Sequence, residues 1–511
     1  MPINNLKYLG HAGWLVEGPD FRCICDPWFG PSGAFFSQWL PFPSNRDLWH
    51  KDLLEDLDFI YISHAHEDHL DPWVLQQADR STTILIPKFK DPVLRSTLGQ
   101  MGFSDVRELT RHDTQIFKDV KITIVEDDGY MDQDSCLLLD DGNRKILNLN
   151  DCHLDYSIIK EHIGDVDVLL LQATSAIWWP CTYDYDEQEL KDKCIQKRNN
   201  AVQRAIKYAL TVNAKLTVPN AGPPFFRNRA LHHWNNTRRE ASNPFILSDD
   251  ASHLMNAQGV DAQTLCPGDE VKLAKTIETI VDSKKFTTVY NKLPQYIDRY
   301  ARQVQDEYPI PSYTKVEHAK MVQKFVKHVN NICKISQVYA PQLTFNVLFS
   351  FNEVEDIVVD FSQGIVEPLK NQKISYEFTL CPDSMCELFK SRYVDFERFF
   401  LGTNFKCHRD PDVYNEILFT LLKNFDIKRL LISEKIYAER KDFLNETYEL
   451  EYNKQKYKVQ RYCPHMLADL KKSGYVNEAG NLVCSLHGWE FDLKSGACLT
   501  NQNCPLEVKK I

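Results

Sequence analysis

The chain has 511 residues, with 60 Lys and Arg against 71 Asp and Glu and a net charge of −11. At roughly 100–200 residues per domain this length predicts about three domains, and the acidic balance excludes a general nucleic-acid binder, since phosphate backbones are held by excess Lys and Arg. No apolar run approaches the roughly 18–20 residues of a membrane span. The opening Met1-Pro2-Ile3-Asn4-Asn5 has neither the basic nor the apolar region of a signal peptide, so a soluble, cytoplasmic protein without membrane attachment is expected. The 15 cysteines are odd in number and too sparse for a disulfide scaffold. Most should be plain buried thiols in a reducing compartment.

Residues 1–265 read as α/β. The β-branched runs Asp58–Ser63, Thr82–Ile86 and Val166–Leu171 each end in polar loops, and Gln188–Leu210 is amphipathic and long enough for a helix. The first run enters His64-Ala-His66-Glu-Asp68-His69-Leu-Asp71-Pro72. Three imidazoles and a carboxylate in such a loop can hold one or two divalent metals; the bland reading is a solvated polar turn. The His-X-His-X-Asp-His loop resembles that of the metallo-β-lactamase superfamily, and Gly10-His11-Ala12-Gly13 and Asp26-Pro27-Trp28 are similar to the opening of its branch with lactonases and phospholipases.

That resemblance implies an αββα sandwich with His64, His66, Asp68 and His69 as metal ligands. Asp151, in Asn148-Leu-Asn150-Asp151-Cys152 after a strand, stands where the superfamily places a bridging Asp. The third-loop His is missing. Only the acids Glu126, Asp127, Asp128, Asp132 and Asp134 lie between Ile122 and Ser135, and Asp128 is taken as a further ligand with Asp127 as the alternative. The last His is replaced in Leu216-Thr-Val-Pro219-Asn220-Ala-Gly-Pro-Pro. These departures argue against an ordinary dizinc hydrolase. They favour a reduced site of His and carboxylate, which suits non-haem Fe(II) with positions open to O₂; zinc or a dinuclear site is the alternative. Asp68, His11 and Asp151 are the candidate catalytic groups. A structural role is the competing reading for His11 and for His153. Trp178-Trp179-Pro180 either lines a substrate pocket or belongs to the core.

Residues 266–435 form the middle region. A 3.6-like spacing predicts helices over Val271–Val281 and His318–Ile335; strands are expected at Phe345–Phe349 and Ile357–Phe361, and helices at Ser384–Leu401 and Asp412–Phe425. Residues 336–435 resemble sterol-carrier-type α/β units. His408-Arg409-Asp410 matches a kinase tripeptide, but without the Gly-rich loop or a later Asp-Phe-Gly it reads as a helix-entry loop before Pro411.

Residues 436–511 form a small β module with Gly474, Gly480, Gly488 and Gly496 at turn-like spacing. It holds Cys463-Pro-His465, then eighteen residues, then Cys484-Ser-Leu-His487-Gly-Trp. A Cys₂His₂ zinc site is the bland reading, but zinc fingers group the two Cys on one arm and the two His on the other. One Cys and one His on each arm suits two inequivalent metal ions. The tail resembles Rieske [2Fe–2S] domains, including His487-Gly-Trp-Glu-Phe-Asp492. By that resemblance Cys463 and Cys484 bind one iron, and His465 and His487 the other; Cys498 and Cys504 are packing residues.

Together these readings describe an α/β multidomain protein: a metallo-β-lactamase sandwich, a helical and α+β middle region, and a C-terminal all-β Rieske domain. A cluster that relays electrons has no use in a hydrolase, but it serves an iron monooxygenase acting on O₂ and a small-molecule substrate. The chain resembles the cytidine monophosphate-N-acetylneuraminic acid hydroxylases, with similarity at Asp26–Trp28, His64–Asp71, Asn148–Cys152, Gln172–Pro180 and Pro219–Pro223. In that family the Rieske domain comes first; here it comes last, so the substrate does not carry over. No Gly-X-Gly-X-X-Gly or flavin signature is present. Electrons are therefore expected from an external ferredoxin, cytochrome or reductase, and the need to bring two centres together makes a homo-oligomer the expectation. The alternatives are a metal hydrolase with a redox-sensing tail, and a non-enzymatic electron carrier that would leave His64–His69 unexplained.

Overall fold

Strands that are apolar on both faces must be covered on both sides, and between Asn5 and Ile280 the computed structural model shows how. The structure describes residues 3–127, 134–235, 242–341, 343–351, 356–391, 394, 396–412, 414–423, 444–465, 467–484, 488–500 and 505–511. The first strands are β1 (Asn5–Gly10), β2 (Gly13–Glu17), β3 (Arg22–Cys25), the short β4 (Trp39–Leu40), β5 (Phe59–Tyr61), β6 (Ile84–Pro87), β7 (Val106–Leu109) and β8 (Gln115–Phe117). Then come β9 (Val120–Asp127), β10 (Asp134–Asp140), β11 (Lys145–Asn150), β12 (Val168–Gln172), β13 (Leu216–Asn220), β14 (Phe225–Phe226), β15 (Glu270–Leu273) and β16 (Ile277–Ile280).

They form an eight-stranded sheet, β16-β15-β1-β2-β3-β5-β6-β7, facing a six-stranded sheet, β13-β12-β11-β10-β9-β8. Trp14, Phe59, Tyr61 and Leu85 from the first sheet interleave with Ile122, Leu137, Val168 and Val218 from the second. Outside the second sheet lie the helices Tyr156–His162, Glu187–Thr211 and Ser248–Asn256; outside the first lie Pro72–Leu75 and Val93–Gln100. The result is the expected αββα order. Parallel pairing of β3 with β5, and of β11 with β12 and β13, brings several strand ends to one rim of the sandwich.

The helix expected over Val271–Val281 is instead the β15–β16 hairpin, with Leu273 opposite Ile277. Val271 and Leu273 are buried while Lys272 between them is not; over so short a stretch a two-residue period passes for a helical one. β15 pairs antiparallel with β1, so the first sheet continues to Ile280, past residue 265. The single helix expected over Ser384–Leu401 is two, Pro382–Lys390 and Phe396–Leu401, and His408-Arg409 closes the strand Phe405–Arg409 rather than a helix-entry loop.

The middle region has a five-stranded sheet running Ile365–Pro368, Ile357–Asp360, Asn346–Ser350, Ile374–Leu380, Phe405–Arg409. The helix Lys315–Tyr339, opened by a Thr314/Glu317 capping box, packs on it. Its core is dense in rings: Phe378 lies 5.4 Å from Phe349, 6.0 Å from Phe400 and 5.9 Å from Phe419. This sheet meets the sandwich directly, since Cys407 N–H donates to Thr182 O (2.8 Å) and Asp184 N–H to Cys407 O (2.9 Å). The C-terminal module is two three-stranded sheets with one helical turn, Leu470–Ser473.

Phe378 is completely buried at the centre of these rings. Phe378→Ala is expected to cost the middle region about 3–5 kcal/mol, read as an earlier transition in urea unfolding followed by tyrosine and tryptophan fluorescence. An unshifted midpoint would show that the ring cluster does not hold this region together.

Candidate metal centre and the cysteine–histidine loops

The loop after β5 is fixed from below by Asp26. This residue closes β3 in a left-handed conformation (φ 40°), where its wholly buried carboxylate accepts the Ser63 N–H (2.8 Å) and meets His69 Nδ1 (3.0 Å). With Nδ1–H donated to a carboxylate, Nε2 is the nitrogen of His69 left to face Asp68 and Asp151, the arrangement that prepares an imidazole to bind a metal. Asp71 anchors the other end of the loop: it accepts the N–H groups of Phe29 (2.9 Å) and Gly30 (2.6 Å) and caps the helix that begins at Pro72. A Cβ at Gly30 would lie 2.9 Å from Asp71 Oδ1, so that close approach requires glycine.

His69 Nε2 points between Asp151 Oδ1 (3.4 Å) and Asp68 Oδ2 (3.8 Å). His11 Nε2 lies 2.9 Å from Asp68 Oδ2. His64 Nδ1 lies 3.2 Å from Asp134 Oδ1 and 3.0 Å from Ser63 Oγ, and its Nε2 is 2.8 Å from His66 Nδ1. Two donor sets result, His11–Asp68–His69 and His64–His69–Asp151, each with its ligand atoms within 4.8 Å of one another. Asp68 Oδ1, His69 Nε2, Asp151 Oδ1 and His11 Nδ1 are buried with no hydrogen-bond partner. Converging buried polar atoms of this kind are costly unless a proton or a metal cation lies among them. The residues therefore fit a divalent metal held by nitrogen and oxygen.

Charge follows the same geometry. Burial opposes the Asp151 charge, but the imidazoles of His69 and His64 outweigh it and hold the carboxyl well below its usual range. Burial likewise works against Asp68, whose pKa falls to about 2 under the influence of His69 and His11. Burial would neutralise His69; Asp151, Asp68 and Asp26 instead raise it well above the ordinary imidazole value. Burial pushes the Asp134 carboxyl up, and the His64 charge only partly offsets this.

Of the expected metal residues, His64, Asp68, His69 and Asp151 converge, with His66 at the half-buried mouth beside His64. Asp128 lies outside the described residues. The acid that reaches His64 is Asp134, at the start of β10. It stood among the acids between Ile122 and Ser135 but was not singled out. Asp26 was legible only as part of Asp26-Pro27-Trp28, and nothing in the spacing showed that it holds His69. His11 is buried in the site, its ring 4.9 Å from Trp28. Trp178 is a core residue, 5.6 Å from Phe400, whereas Trp179 is half-buried.

The rim beside His11 is polar. Ala221 N–H donates to His11 O (2.9 Å) and Gln172 Nε2 to Ala221 O (2.8 Å). Around them Asn220, Thr174 and Ser175 are buried with side-chain polar atoms that have no partner. Asn220 occupies the place where a last histidine ligand was sought.

In the C-terminal module Cys463 and Cys484 are both buried. The Cys463 carbonyl accepts the Leu467 N–H (3.0 Å), and the Cys484 carbonyl the Gly488 N–H (2.8 Å). The His465 ring stacks flat on Trp489 at 4.2 Å, so the two loops lie face to face. His487 and Cys504 lie outside the described residues; Cys498 is a buried core residue, as expected.

This module docks on the sandwich just beyond the metal centre. Asp155 Oδ2 accepts the Asp469 N–H and the Ser473 hydroxyl (both 3.1 Å), and Lys207 Nζ donates to Ser473 O (3.1 Å) while lying over Tyr156 (4.4 Å) and Tyr475 (5.2 Å). A Cβ at Gly488 would come within 2.7 Å of Asn200. Asn200 and Lys207 of the Glu187–Thr211 helix meet the module, and Lys197 and Arg204 share their face of the helix at spacings of three and four. Burial and the neighbouring Arg204 push Lys197 down to about 8.

Comparison with known proteins accounts for all three parts. Residues 5–199 match the beta-lactamase superfamily domain, 321–439 the Rv3818-like, SCP2-like domain, and 435–510 the Rieske [2Fe–2S] domain. A Mycolicibacterium smegmatis chain named as a Rieske 2Fe-2S iron-sulfur protein is 30% identical over 98% of this chain and 99% of its own. The cytidine monophosphate-N-acetylneuraminic acid hydroxylase of Cricetulus griseus is 31% identical over 29% of this chain and 27% of its own. The diiron beta-hydroxylase CmlA of Streptomyces venezuelae overlays 53% of this chain and 54% of its own at 20% identity and a TM-score of 0.37. Matched nearly end to end by the mycobacterial chain, and carrying the [2Fe–2S] domain of its name, the protein belongs to the family of Rieske 2Fe-2S iron-sulfur proteins.

Proposed function

We propose that this protein is a Rieske-dependent iron monooxygenase that hydroxylates or N-oxygenates a small polar metabolite, such as an N-acyl or nucleotide sugar. The observation that carries the reading is the docking of the cysteine–histidine module at Asp155, four residues from Asp151 of the metal centre. Four residues of extended chain span at most about 14 Å. The module's anchor is thus close to the metal centre within one chain, which supports electron transfer within a single chain. The hydroxylase similarity over 29% of the chain supports the same reaction class.

Cys463 and Cys484 would hold one iron of the cluster and His465 and His487 the other; His64, His66, Asp68, His69 and Asp151 would hold the catalytic iron. The cluster supplies single electrons and the iron supplies O₂ activation. Hydroxylation consumes O₂, two electrons and two protons per oxygen inserted and releases water, so an external ferredoxin, cytochrome or reductase must provide the electrons. The chain's own residues do the rest. Asp26 orients His69, and Asp134 orients His64. His11 and Asp68 share a proton across 2.9 Å and can deliver it at His11 Nε2. Asn220, Thr174 and Ser175 offer unpaired polar groups to a polar substrate. Trp28 backs His11 and helps keep water from it.

A second reading, a metal-dependent hydrolase with a redox-sensing tail, draws on the two overlapping donor sets that share His69. Hydrolysis without O₂ that survives Cys463→Ser would establish it.

Purified protein should be brown, carry about three irons per chain and show a Rieske EPR signal on reduction; two irons plus zinc would overturn the iron oxygenase. Asp26→Asn removes the acceptor for His69 Nδ1–H and should weaken catalytic-iron binding about 10–100-fold, measured by metal competition, with the EPR signal intact. Asp155→Ala should leave both metals bound but slow the oxidation of reduced cluster by O₂ in stopped flow. Unchanged transfer would show that this contact does not set the approach.

A further inference from the structure

Arg227 lies just after β14 and is only 5% exposed, yet its Nε and Nη2 have no hydrogen-bond partner. Among the described residues no carboxylate pairs with it. The charge that acts on it is Arg46, which has its own partners: Glu307 at Nη1 and Pro31 O at Nη2 (3.0 Å). Burial, then Arg46, pushes Arg227 below its ordinary value, but a guanidinium does not release its proton in a protein. An uncompensated buried cation is among the most unfavourable groups a fold can keep.

The surroundings are built rather than incidental. β4 and β14 pair with Phe226 opposite Trp39, and Arg227 N–H donates to Gln38 O (2.9 Å), so Arg227 and Gln38 lie opposite each other on one face. Gln38 is itself buried, with Oε1 unpartnered. A Cβ at Gly402 would stand 3.1 Å from Phe35 O and 3.3 Å from Gln38 Cγ, which brings a turn of the middle region hard against the patch; Asn228 Nδ2 bonds Asn404 Oδ1 there (2.9 Å). The same hairpin reaches the metal loop, for Phe35 lies 6.1 Å from the His66 ring and its N–H donates to Glu67 Oε2 (2.5 Å).

We propose that Arg227 is an oxyanion-binding residue that grips a phosphoryl or carboxylate group of the substrate through Nε and Nη2. Those two nitrogens form one edge of the guanidinium, whose parallel N–H groups match two oxygens of such a group. Calling the ligand a substrate rests on the oxygenase reading; the binding site itself does not.

The test uses the full holoprotein, with inorganic phosphate and acetate as separate probes and chloride at matched ionic strength. One of the two oxyanions should bind the wild type by calorimetry and raise its Tm; which one binds identifies the group. Arg227→Gln and Arg227→Met should weaken that binding at least about tenfold. In anion-free buffer both variants should melt at or above the wild type, having lost an unpaired charge, so the order of Tm values reverses when the anion is added. Absence of binding by the wild type, equal binding by the variants, or lower stability of both variants in anion-free buffer would overturn the proposal, the last by showing a structural guanidinium. Absence of hydroxylation with this anion dependence intact would remove the oxygenase and leave the site. Loss of the dependence with hydroxylation intact would remove only the site.

Discussion

One buried contact, His69 Nδ1 against the Asp26 carboxylate at 3.0 Å, holds the metal centre together. It fixes which nitrogen of His69 faces Asp68 and Asp151 and keeps the ring from rotating. Because Asp26 also takes the Ser63 N–H, the same carboxylate ties the end of β3 to the loop that follows β5. The charges then depend on one another. Asp151, Asp68 and Asp26 raise the His69 imidazole well above its ordinary value, and His69 and His64 hold the Asp151 carboxyl well below its own. A divalent cation can take over the protons' role here, since it satisfies the same lone pairs at once.

The metal loop and the two cysteine–histidine arms were legible because their chemistry is local: His64 to His69, and Cys463 with His465, are set by spacing along one stretch of chain. The αββα order was legible from strands ending in polar loops. What was lost is what depends on tertiary pairing. Asp134 acts on His64 only because the two facing sheets pack so that the start of β10 meets the end of β5, where Tyr61 Oη lies 2.7 Å from Ser135 Oγ, and a run of acids gives no sign of which one does so. Arg227 looks in sequence like any surface arginine; its burial arises from the packing around β14, where a turn of the middle region meets Gln38 and Asn228. The β15–β16 hairpin departs from the expected helix for a related reason, since its strand character comes from pairing with β1.

The overall charge of −11 conceals a local reversal. Lys197, Arg204 and Lys207 share one face of a helix at the junction between the sandwich and the C-terminal module, and the Cys484 thiolate lies within reach of the Lys207 charge. Coulomb energy at such a partly buried interface is stronger than at the open surface. Cations there favour thiolates over thiols and the more negative, reduced form of a cluster over the oxidised one. The stripe is therefore suited both to hold the module against the sandwich and to stabilise negative charge at that junction.

The middle region is part of the site rather than a passenger. Glu67 stands between His66 and Asp68, and its carboxylate is divided between the Phe35 N–H and the guanidinium of Arg398, which comes from the helix Phe396–Leu401 and also lies 4.6 Å over the Phe36 ring. Phe35, Phe36 and Ser37 are all left-handed, with φ of 52°, 57° and 64°. Three consecutive residues without glycine hold that conformation only where surrounding contacts compel it. The compulsion comes from both sides, the metal loop through Glu67 and the middle region through Arg398 and the Gly402 turn. The metal loop on its own would lose Arg398 as a partner of Glu67. The sandwich needs its neighbour to complete the site, which gives a physical reason for the three parts to be carried on one chain.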